Sequence, residues 1–259
     1  MFDYHLHTKV SFDARATAQE VIEKALQLGL KEICFTDHVD YIGTKKSDYV
    51  FDLNEYSRAY DNLKAEGLKI RRGMEFGLNA QNVDILEQYL KLRNFDFVIG
   101  SVHFINDVDC YYGEYWKNKS VHEAYEEYLT ETLKMVKIHS NFDVLGHLTY
   151  ITKAKSNPTK EVVDYQTFKD IIDEILLTLA KKGRGIEVNT SGVKHSGEFL
   201  PPLKMVKRFK ELGGEIVTVG SDAHDQIRVG EHTFEAVNAV KQIFGYVCTF
   251  ENRKPIFHK

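Results

Sequence analysis

Residues 2–38 read FDYHLHTKVSFDARATAQEVIEKALQLGLKEICFTDH and contain the unit on which the fold prediction rests. The segment begins with a β-like run, Phe2–Leu6, and ends with a second one, Glu32–Thr36. Between them, TAQE at residues 17–20 predicts a capping box, in which the threonine caps the first turn and the glutamate reaches back. The apolar positions that follow keep helical spacing up to Gly29, which favours a helix end. The segment therefore predicts a strand, a helix and a second strand.

The same alternation of strand and helix continues along the chain. We predict five further strands, near Lys69–Phe76, Phe95–Ser101, Val144–His147, Gly185–Asn189 and Glu215–Gly220. Seven strands that alternate with helices imply a parallel sheet, which is closed or nearly closed in a chain of 259 residues. No linker-like segment interrupts the pattern, so we predict one α/β domain over residues 1–259.

Two predicted connections are long, at residues 39–53 and 104–121, as is typical of lids and binding loops. The second connection carries a group of aromatic residues, Tyr111, Tyr112, Tyr115 and Trp116. These rings either stack on a planar substrate group or pack the loop onto the barrel rim, and the pattern favours packing.

Composition excludes several classes of function. The net charge of −4, from 34 basic and 38 acidic residues, lacks the basic excess that is typical of nucleic-acid-binding proteins. Three scattered cysteines predict neither a disulfide framework nor a thiolate zinc site. No leader is recognised, and no apolar run approaches the roughly 18 residues that a membrane span needs. We expect a cytoplasmic protein that binds neither nucleic acid nor membranes.

Nine ionisable residues fall at or just beyond the ends of the predicted strands. They are His5, His7, Asp13, His38, Glu75, His103, His147, Asp222 and His224. Barrel enzymes build their sites at the carboxyl ends of the strands, so these side chains are expected to meet at one mouth. Two pairs are spaced two residues apart, which places both members on the same face of an extended strand.

Six imidazoles and three carboxylates are more than one divalent ion uses, since zinc commonly takes about four ligands. We therefore predict two or three transition-metal ions, with a carboxylate bridging them. Nitrogen and oxygen ligands without thiolate suit zinc, manganese or iron(II), and zinc is the expected ion. Four other histidines lie in or near predicted helices or at the tail and are interpreted as ordinary residues: His122, His139, His232 and His258.

The reaction class follows from the predicted metal cluster. Paired ions about 3.5–4 Å apart activate water and clamp the oxygens of an in-line phosphoryl displacement. The sequence contains no Gly-x-Ser-x-Gly, GxGxxG or Walker motif that would favour another chemistry. We predict a metal-dependent phosphoester hydrolase.

These motifs resemble those of the polymerase-and-histidinol-phosphatase (PHP) family, in order and in spacing over nearly the whole chain. The matching motifs are His5-x-His7, Thr36-Asp37-His38, Gly73-Met74-Glu75, Gly100-Ser101-Val102-His103, Gly146-His147 and Ser221-Asp222-Ala223-His224. The resemblance implies a distorted (β/α)7 TIM-like barrel with three metal ions. It assigns His5, His7, Glu75 and Asp222 to the first ion. It assigns Glu75, His103 and His147 to the second, and Asp13, His38 and His224 to the third.

Within the family, residues 97–104 and 189–192 resemble the histidinol-phosphate phosphatases, which hydrolyse L-histidinol phosphate in histidine biosynthesis. The resemblance places Asn189 and Lys194 in a substrate-binding segment, where a basic residue, often Arg, holds the phosphate. It implies catalytic roles for Glu75 and Asp222. His195 is either an acid that protonates the leaving alkoxide or a plain loop residue.

The expected substrate is a small phosphomonoester that carries a ring or an amine. Acidic residues of the second long connection are candidates to meet a substrate ammonium group: Asp107, Asp109 and Glu114. Two alternatives remain at this point. One is a nucleotide or phosphotyrosine hydrolase of the same family, and the other is a non-catalytic metal-binding module.

Overall fold

The computed structural model describes residues 1–159 and 161–259. Thirteen strands occur in the described residues, and seven of them form the central sheet. In chain order the strands are Phe2–Leu6 (β1), Glu32–Phe35 (β2), His38–Ile42 (β3), Lys45–Val50 (β4), Lys69–Gly77 (β5), Phe97–Ser101 (β6), Phe104–Ile105 (β7), Val108–Asp109 (β8), Val144–Leu145 (β9), Gly185–Asn189 (β10), Val217–Gly220 (β11), Val247–Glu251 (β12) and Lys254–His258 (β13).

The sheet order is β1-β2-β5-β6-β9-β10-β11, and every neighbouring pair in it is parallel. The sheet closes where β11 returns to β1. There the Asp222 amide donates to the His5 carbonyl at 2.8 Å, and the His7 amide donates to the Ala223 carbonyl at 3.0 Å. The predicted seven-stranded, TIM-like barrel is therefore confirmed.

Nine α-helices of the described residues connect the strands. They are Ala18–Gln27 (α1), Leu53–Tyr60 (α2), Val83–Leu92 (α3), Gly113–Trp116 (α4), Val121–Ile138 (α5), Lys169–Lys181 (α6), Val193–Ser196 (α7), Leu203–Glu211 (α8) and Thr233–Phe244 (α9). Two 3-10 turns, Tyr150–Lys153 and Thr190–Gly192, follow β9 and β10. No helix of the described residues is long and apolar enough to cross a membrane.

Helix α1 begins as its sequence predicts. The Thr17 hydroxyl accepts the Glu20 amide at 3.2 Å, and the Glu20 carboxylate accepts the Thr17 amide at 2.7 Å. Two orphan donors of the first turn are thereby satisfied. The helix ends before Gly29, whose φ of +69° is a left-handed conformation that glycine adopts without a steric penalty.

The two predicted long loops contain secondary structure of their own. Residues 39–53 are largely the antiparallel hairpin β3–β4, and β3 also pairs in parallel with β5, where His38 lies opposite Glu75. Residues 104–121 contain the short hairpin β7–β8 and helix α4. A further hairpin, β12–β13, packs Phe250 against Phe97 at the opposite end of the barrel from the candidate site.

Candidate active site

The structure brings all nine predicted ligands together at the carboxyl ends of the barrel strands. Every one of them has a ring nitrogen or carboxylate oxygen within 3.6 Å of another member. Strand β1 supplies His5, and β5 supplies Glu75, while the remaining ligands lie on the strand ends and the loops that follow. The predicted convergence of these side chains is therefore present in the fold.

Glu75 lies at the centre of this cluster and is fully buried. Its Oε2 atom lies 3.2 Å from His5 Nε2 and 3.5 Å from His7 Nε2. Its Oε1 atom lies 2.9 Å from His147 Nε2 and 3.3 Å from His103 Nε2. A third ring also faces Oε2, since His38 Nδ1 lies 3.1 Å from it. Because the two oxygens face different sets of imidazoles, the carboxylate has the geometry of a bridge between ligand groups.

Asp222 also uses its two oxygens differently. Oδ1 lies 3.4 Å from His7 Nε2 and 3.6 Å from His5 Nε2. Oδ2 accepts the ammonium group of Lys153 and the Asn189 amide, the latter at 3.2 Å. The backbone of Asp222 is left-handed, with φ +56°, so these contacts hold a conformation that is uncommon for a non-glycine residue. One oxygen therefore faces the imidazoles while the other is fixed by protein donors.

The third group of ligands is the most accessible to solvent. Asp13 Oδ2 lies 3.3 Å from His224 Nε2 and 3.6 Å from His38 Nε2. The side chains of Asp13 and His224 are 37% and 32% exposed, whereas those of His5 and Glu75 are fully buried. This group therefore lies at the mouth and the Glu75 bridge lies at the bottom.

The donor atoms of the cluster fit metal ions. Several buried side-chain atoms have no hydrogen-bond partner among the described residues, and among them are one carboxylate oxygen and the three ring nitrogens that face it: Glu75 Oε2, His5 Nε2, His7 Nε2 and His38 Nδ1. Leaving such atoms unpaired is costly, and a bound cation removes the cost. Five overlapping sets of three His, Asp or Glu residues have ligand atoms that all lie within 4.8 Å of one another. The site thus offers nitrogen and oxygen donors for more than one divalent ion.

The electrostatics of the cluster favour positive charge. Burial alone would raise the pKa of Glu75, but the imidazoles of His5 and His103 lower it well below its usual range. Burial likewise opposes ionisation of Asp222, but Lys153 and His5 lower its pKa. The pKa of His103, which burial alone would lower, is raised to about 10 by Asp40 and Glu75. Both carboxylates therefore stay ionised and attract cations.

Three charged residues that contact the cluster were not predicted from the sequence as part of the site. Asp40 Oδ1 lies 3.0 Å from His103 Nδ1, Glu187 Oε1 lies 2.6 Å from His5 Nδ1, and Lys153 pairs with Asp222. The signal for Asp40 was present, because it follows His38 at the same two-residue spacing as the other ligand pairs. Glu187 and Lys153 carry no comparable signal, since single charged residues occur in strands and turns of every kind.

A cavity of ≈ 360 Å³ opens above the cluster, which is a suitable size for a small ligand. One part of its wall is aromatic and is formed by Tyr49, Phe104, Tyr111, Tyr112 and Tyr150. Two cationic side chains, Lys153 and Arg228, lie on the wall, and His195 adds an imidazole. Asp109 and Asp225 add carboxylates outside the predicted ligand set. The cavity therefore combines an apolar wall with both signs of charge.

The second long connection divides between cavity and core. Tyr111 and Tyr112 line the cavity. Tyr115 is buried and donates to the Ala124 carbonyl at 2.6 Å, and Trp116 donates to a backbone carbonyl at 3.1 Å. Of the three acidic candidates on this connection, the structure places Asp109 in the cavity wall. Packing of the loop therefore applies to Tyr115 and Trp116, and stacking of Tyr111 and Tyr112 on a substrate group stays a prediction.

The predicted substrate residues have three different positions. His195 lines the cavity from the short helix α7. Lys194 is exposed on the same helix and is not among the residues that line the cavity. Asn189 is buried, and its amide donates to Glu187 and Asp222 while its carbonyl oxygen accepts from Ser191. Substrate contact by Lys194 and Asn189 stays a prediction, and Lys153 is the lysine that the fold brings to the cluster.

Comparison with known proteins identifies related sequences. Residues 3–191 match the family model of the PHP domain. The chain is 33% identical to a histidinol-phosphatase of Lactococcus lactis subsp. lactis (strain IL1403), over 97% of this chain and 95% of that protein. It is 32% identical to a probable histidinol-phosphatase of Clostridium acetobutylicum, over 99% and 96% of the two chains.

A solved structure is similar over nearly the whole chain. It is the crystal structure of histidinol phosphate phosphatase from Lactococcus lactis subsp. lactis Il1403 in complex with zinc, L-histidinol and phosphate. The TM-score is 0.88 at 31% sequence identity, and the match covers 98% of each chain. That protein binds zinc, an amino alcohol with an imidazole ring, and phosphate.

Proposed function

The chain belongs to the PHP domain family, and we propose that it is a metal-dependent phosphatase that hydrolyses L-histidinol phosphate to L-histidinol and phosphate. The observation that carries the proposal is the bridging geometry of Glu75, whose two oxygens face different sets of imidazoles at the bottom of a cavity. A relative that binds zinc, L-histidinol and phosphate supports the choice of substrate.

We propose three ligand groups, the first two of which share Glu75. The first comprises His5, His7, Glu75 and Asp222; the second comprises Glu75, His103 and His147; and the third comprises Asp13, His38 and His224. Zinc is the proposed ion, with manganese or iron as alternatives. When bound, such ions would activate water as the nucleophile and polarise the phosphoryl oxygens.

Protein cations complete the proposed phosphate site. The Lys153 ammonium group lies against Asp222 and also 2.9 Å from the Ser191 hydroxyl, at the edge of the metal cluster. Arg228 lines the same cavity, and its guanidinium is oriented by Glu231 at 2.6 Å. Both groups can donate charge-assisted hydrogen bonds to a phosphate that lies between them and the cluster. The phosphate would then be held by cations from two directions.

The cavity wall suits the leaving group of the proposed substrate. L-histidinol carries a primary amine and an imidazole, so it presents a planar ring together with positive charge. The carboxylate of Asp109 is half-buried and adjoins the aromatic wall, where the Tyr111 backbone amide donates to it at 2.8 Å. A partly desolvated carboxylate beside aromatic rings favours the binding of an organic cation. We propose that Asp109 binds this cationic end.

His195 remains the proposed acid for the departing alkoxide. It lines the cavity near Ser191 and Lys153 but is not part of the ligand groups. An imidazole in this position can donate a proton to an oxygen that leaves toward the cavity mouth. We also propose that residues 1–259 act as one catalytic domain, because Asp222 and His224 lie beyond the segment 3–191 that matches the family model.

The test is a comparison of kcat/KM for L-histidinol phosphate, nucleoside monophosphates and phosphotyrosine on metal-loaded protein. We expect L-histidinol phosphate to be hydrolysed with the highest kcat/KM. If another substrate exceeds it by about tenfold, or ~1.4 kcal/mol of transition-state preference, the substrate assignment is wrong and the phosphatase assignment stands.

A matched pair of variants tests the role of Asp109. Asp109→Asn is expected to lower kcat/KM for L-histidinol phosphate by ~10-fold or more. It should affect kcat/KM much less for a phosphomonoester whose leaving group is uncharged. Asp107→Asn is the control, because Asp107 is exposed on the same loop. Equal effects of Asp109→Asn on both substrates would show that Asp109 does not bind the positive charge of the substrate.

A further inference from the structure

We propose that Glu187 is a positioning residue, which holds the His5 ring so that its Nε2 atom faces Glu75 and Asp222. Glu187 is not among the predicted ligands, and it lies in the middle of β10 with 1% of its side chain exposed. The inference rests on the proposed metal sites. It adds a residue that would act on them through hydrogen bonds rather than by ligation.

The two oxygens of Glu187 are both occupied by donors. Oε1 lies 2.6 Å from His5 Nδ1. Oε2 accepts the His147 backbone amide at 2.9 Å and the Asn189 side-chain amide at 3.1 Å. Since a carboxylate accepts and does not donate, His5 carries its proton on Nδ1, and the lone pair of Nε2 is free to face the cluster.

The surroundings of the other ring nitrogen of His5 agree with a proton on Nδ1. His5 Nε2 lies 3.2 Å from Glu75 Oε2 and 3.6 Å from Asp222 Oδ1. It is one of the buried atoms that have no hydrogen-bond partner among the described residues. A carboxylate behind a ligating imidazole fixes the tautomer and raises the basicity of the other nitrogen. Glu187 Oε1 lies against Nδ1 of the His5 ring, and Glu75 Oε2 lies against Nε2 on the side of the proposed metal site.

Strand β11 leaves room for the contact between His5 and Glu187 only because residue 220 is glycine. A Cβ atom at Gly220 would lie 2.3 Å from His5 Cβ and 2.7 Å from Glu187 Oε1. The first distance is far inside van der Waals contact, and neither atom belongs to the free end of an exposed side chain. The His5 ring is therefore confined between β11 and Glu187, which limits the orientations it can adopt.

Glu187 also reaches two other proposed ligands. Its bond to the His147 amide fixes the backbone that carries the second group. The side-chain amide of Asn189 donates both to Glu187 and to Asp222 Oδ2, the latter at 3.2 Å. One buried carboxylate thus contacts His5 directly, His147 through its backbone and Asp222 through one amide.

The test replaces Glu187 by Gln, which keeps the volume and removes the charge. The new NH2 group must face either the His5 Nδ1 proton or the His147 amide, and both are donors. We expect the affinity of one metal ion to fall by ~10–100-fold in a chelator competition with Zn²⁺. We also expect the His5 Nδ1–H proton signal, which a short bond to a carboxylate moves downfield, to shift upfield in NMR spectra of the zinc-loaded variant.

Glu32→Gln is the matched control. Glu32 is a buried carboxylate on β2 that accepts from Tyr4 and Arg71 and contacts none of the proposed ligands. We expect this variant to lose stability but to keep wild-type zinc affinity and the wild-type His5 signal. Glu187→Asp, which keeps the charge on a shorter side chain, provides a second readout and is expected to bind zinc with intermediate affinity.

Two results would overturn the proposal and are distinguishable from failure of the proposed function. If Glu187→Gln binds zinc as tightly as the wild type and keeps the His5 signal, Glu187 does not position the ring. If Glu187→Gln and Glu32→Gln lower the zinc affinity equally, the effect of Glu187 is one of general stability. A wild-type protein that binds no zinc would instead contradict the proposed metal sites themselves.

Discussion

Replacement of Glu75 by Gln tests the bridge at the centre of the site. The substitution preserves the shape of the side chain, and the amide oxygen can still accept the Ser101 hydroxyl, which lies 2.7 Å from Oε1. It removes the negative charge from a fully buried position that faces five imidazole nitrogens within 3.5 Å. The amide NH2 cannot ligate a cation, so one of the two ligand groups loses its shared oxygen.

The expected magnitude follows from this geometry. Removing one partner from a buried charged group costs about 3–5 kcal/mol, because the remaining charges are left uncompensated. Each 1.36 kcal/mol is a factor of ten, so this loss corresponds to ~10²–10⁴ in metal affinity or in kcat. We therefore expect Glu75→Gln to retain the fold while it loses one metal ion under dialysis and at least ~10²-fold in kcat.

The assay measures metal content after dialysis, phosphate release at saturating L-histidinol phosphate, and the circular dichroism of the same samples. Glu32→Gln serves as a control for loss of a buried carboxylate elsewhere in the barrel. A folded Glu75→Gln protein with near-wild-type turnover and full metal content would refute the bridging role of this residue.

Three further predictions concern individual side chains. Lys153→Met is expected to raise KM for L-histidinol phosphate ~10-fold or more at saturating metal, since a charge-assisted hydrogen bond is worth about 1.5–3 kcal/mol. Steady-state kinetics should show a smaller rise in KM for Lys194→Ala, because Lys194 is exposed. If KM rises more for Lys194→Ala than for Lys153→Met, and Lys194→Arg restores it, Lys194 binds the phosphate instead. Gly77→Ala places a Cβ atom 1.7 Å from Asp40 Oδ1 and should weaken zinc binding by ~10-fold or more in a chelator competition; unchanged affinity would show that Asp40 does not support the cluster. Burial raises the pKa of all three cysteine thiols, that of Cys248 to about 11, so a disulfide reagent at pH 8 should label them only after unfolding. Rapid labelling of the native protein would contradict this.

Much of the fold was predictable from local pattern. The strands Phe2–Leu6 and Gly185–Asn189 have the predicted bounds, because each is a short run of β-formers between turn residues. Capping at residues 17–20 was predictable for the same reason, since it depends on neighbours in sequence. The hairpin β3–β4 was not predictable, because the segment GTKK at residues 43–46 is polar. The parallel pairing of β3 with β5, which places His38 opposite Glu75, joins residues that lie far apart in sequence.

The candidate site divides in a similar way. The nine ligands could be identified because each lies at or just beyond the carboxyl end of a strand, and in a barrel these ends meet at one mouth. Glu187 could not be assigned from sequence, since a carboxylate within a strand gives the same pattern whether it meets an imidazole or solvent. Asp40 was missed although it follows His38 at the two-residue spacing of the other ligand pairs. Lys153 and Lys194 both lie in turns after strands, and only the packing of those turns decides which one reaches the cavity.

The most direct test of the account is a metal titration of enzymatic activity. Protein stripped with a chelator is titrated with Zn²⁺ or Mn²⁺ while phosphate release from L-histidinol phosphate is measured. The account predicts no release from the stripped protein and full recovery only after two or more ions per chain are bound. Release that is unaffected by stripping, or no release at any metal loading, would contradict a metal-dependent phosphatase centred on Glu75.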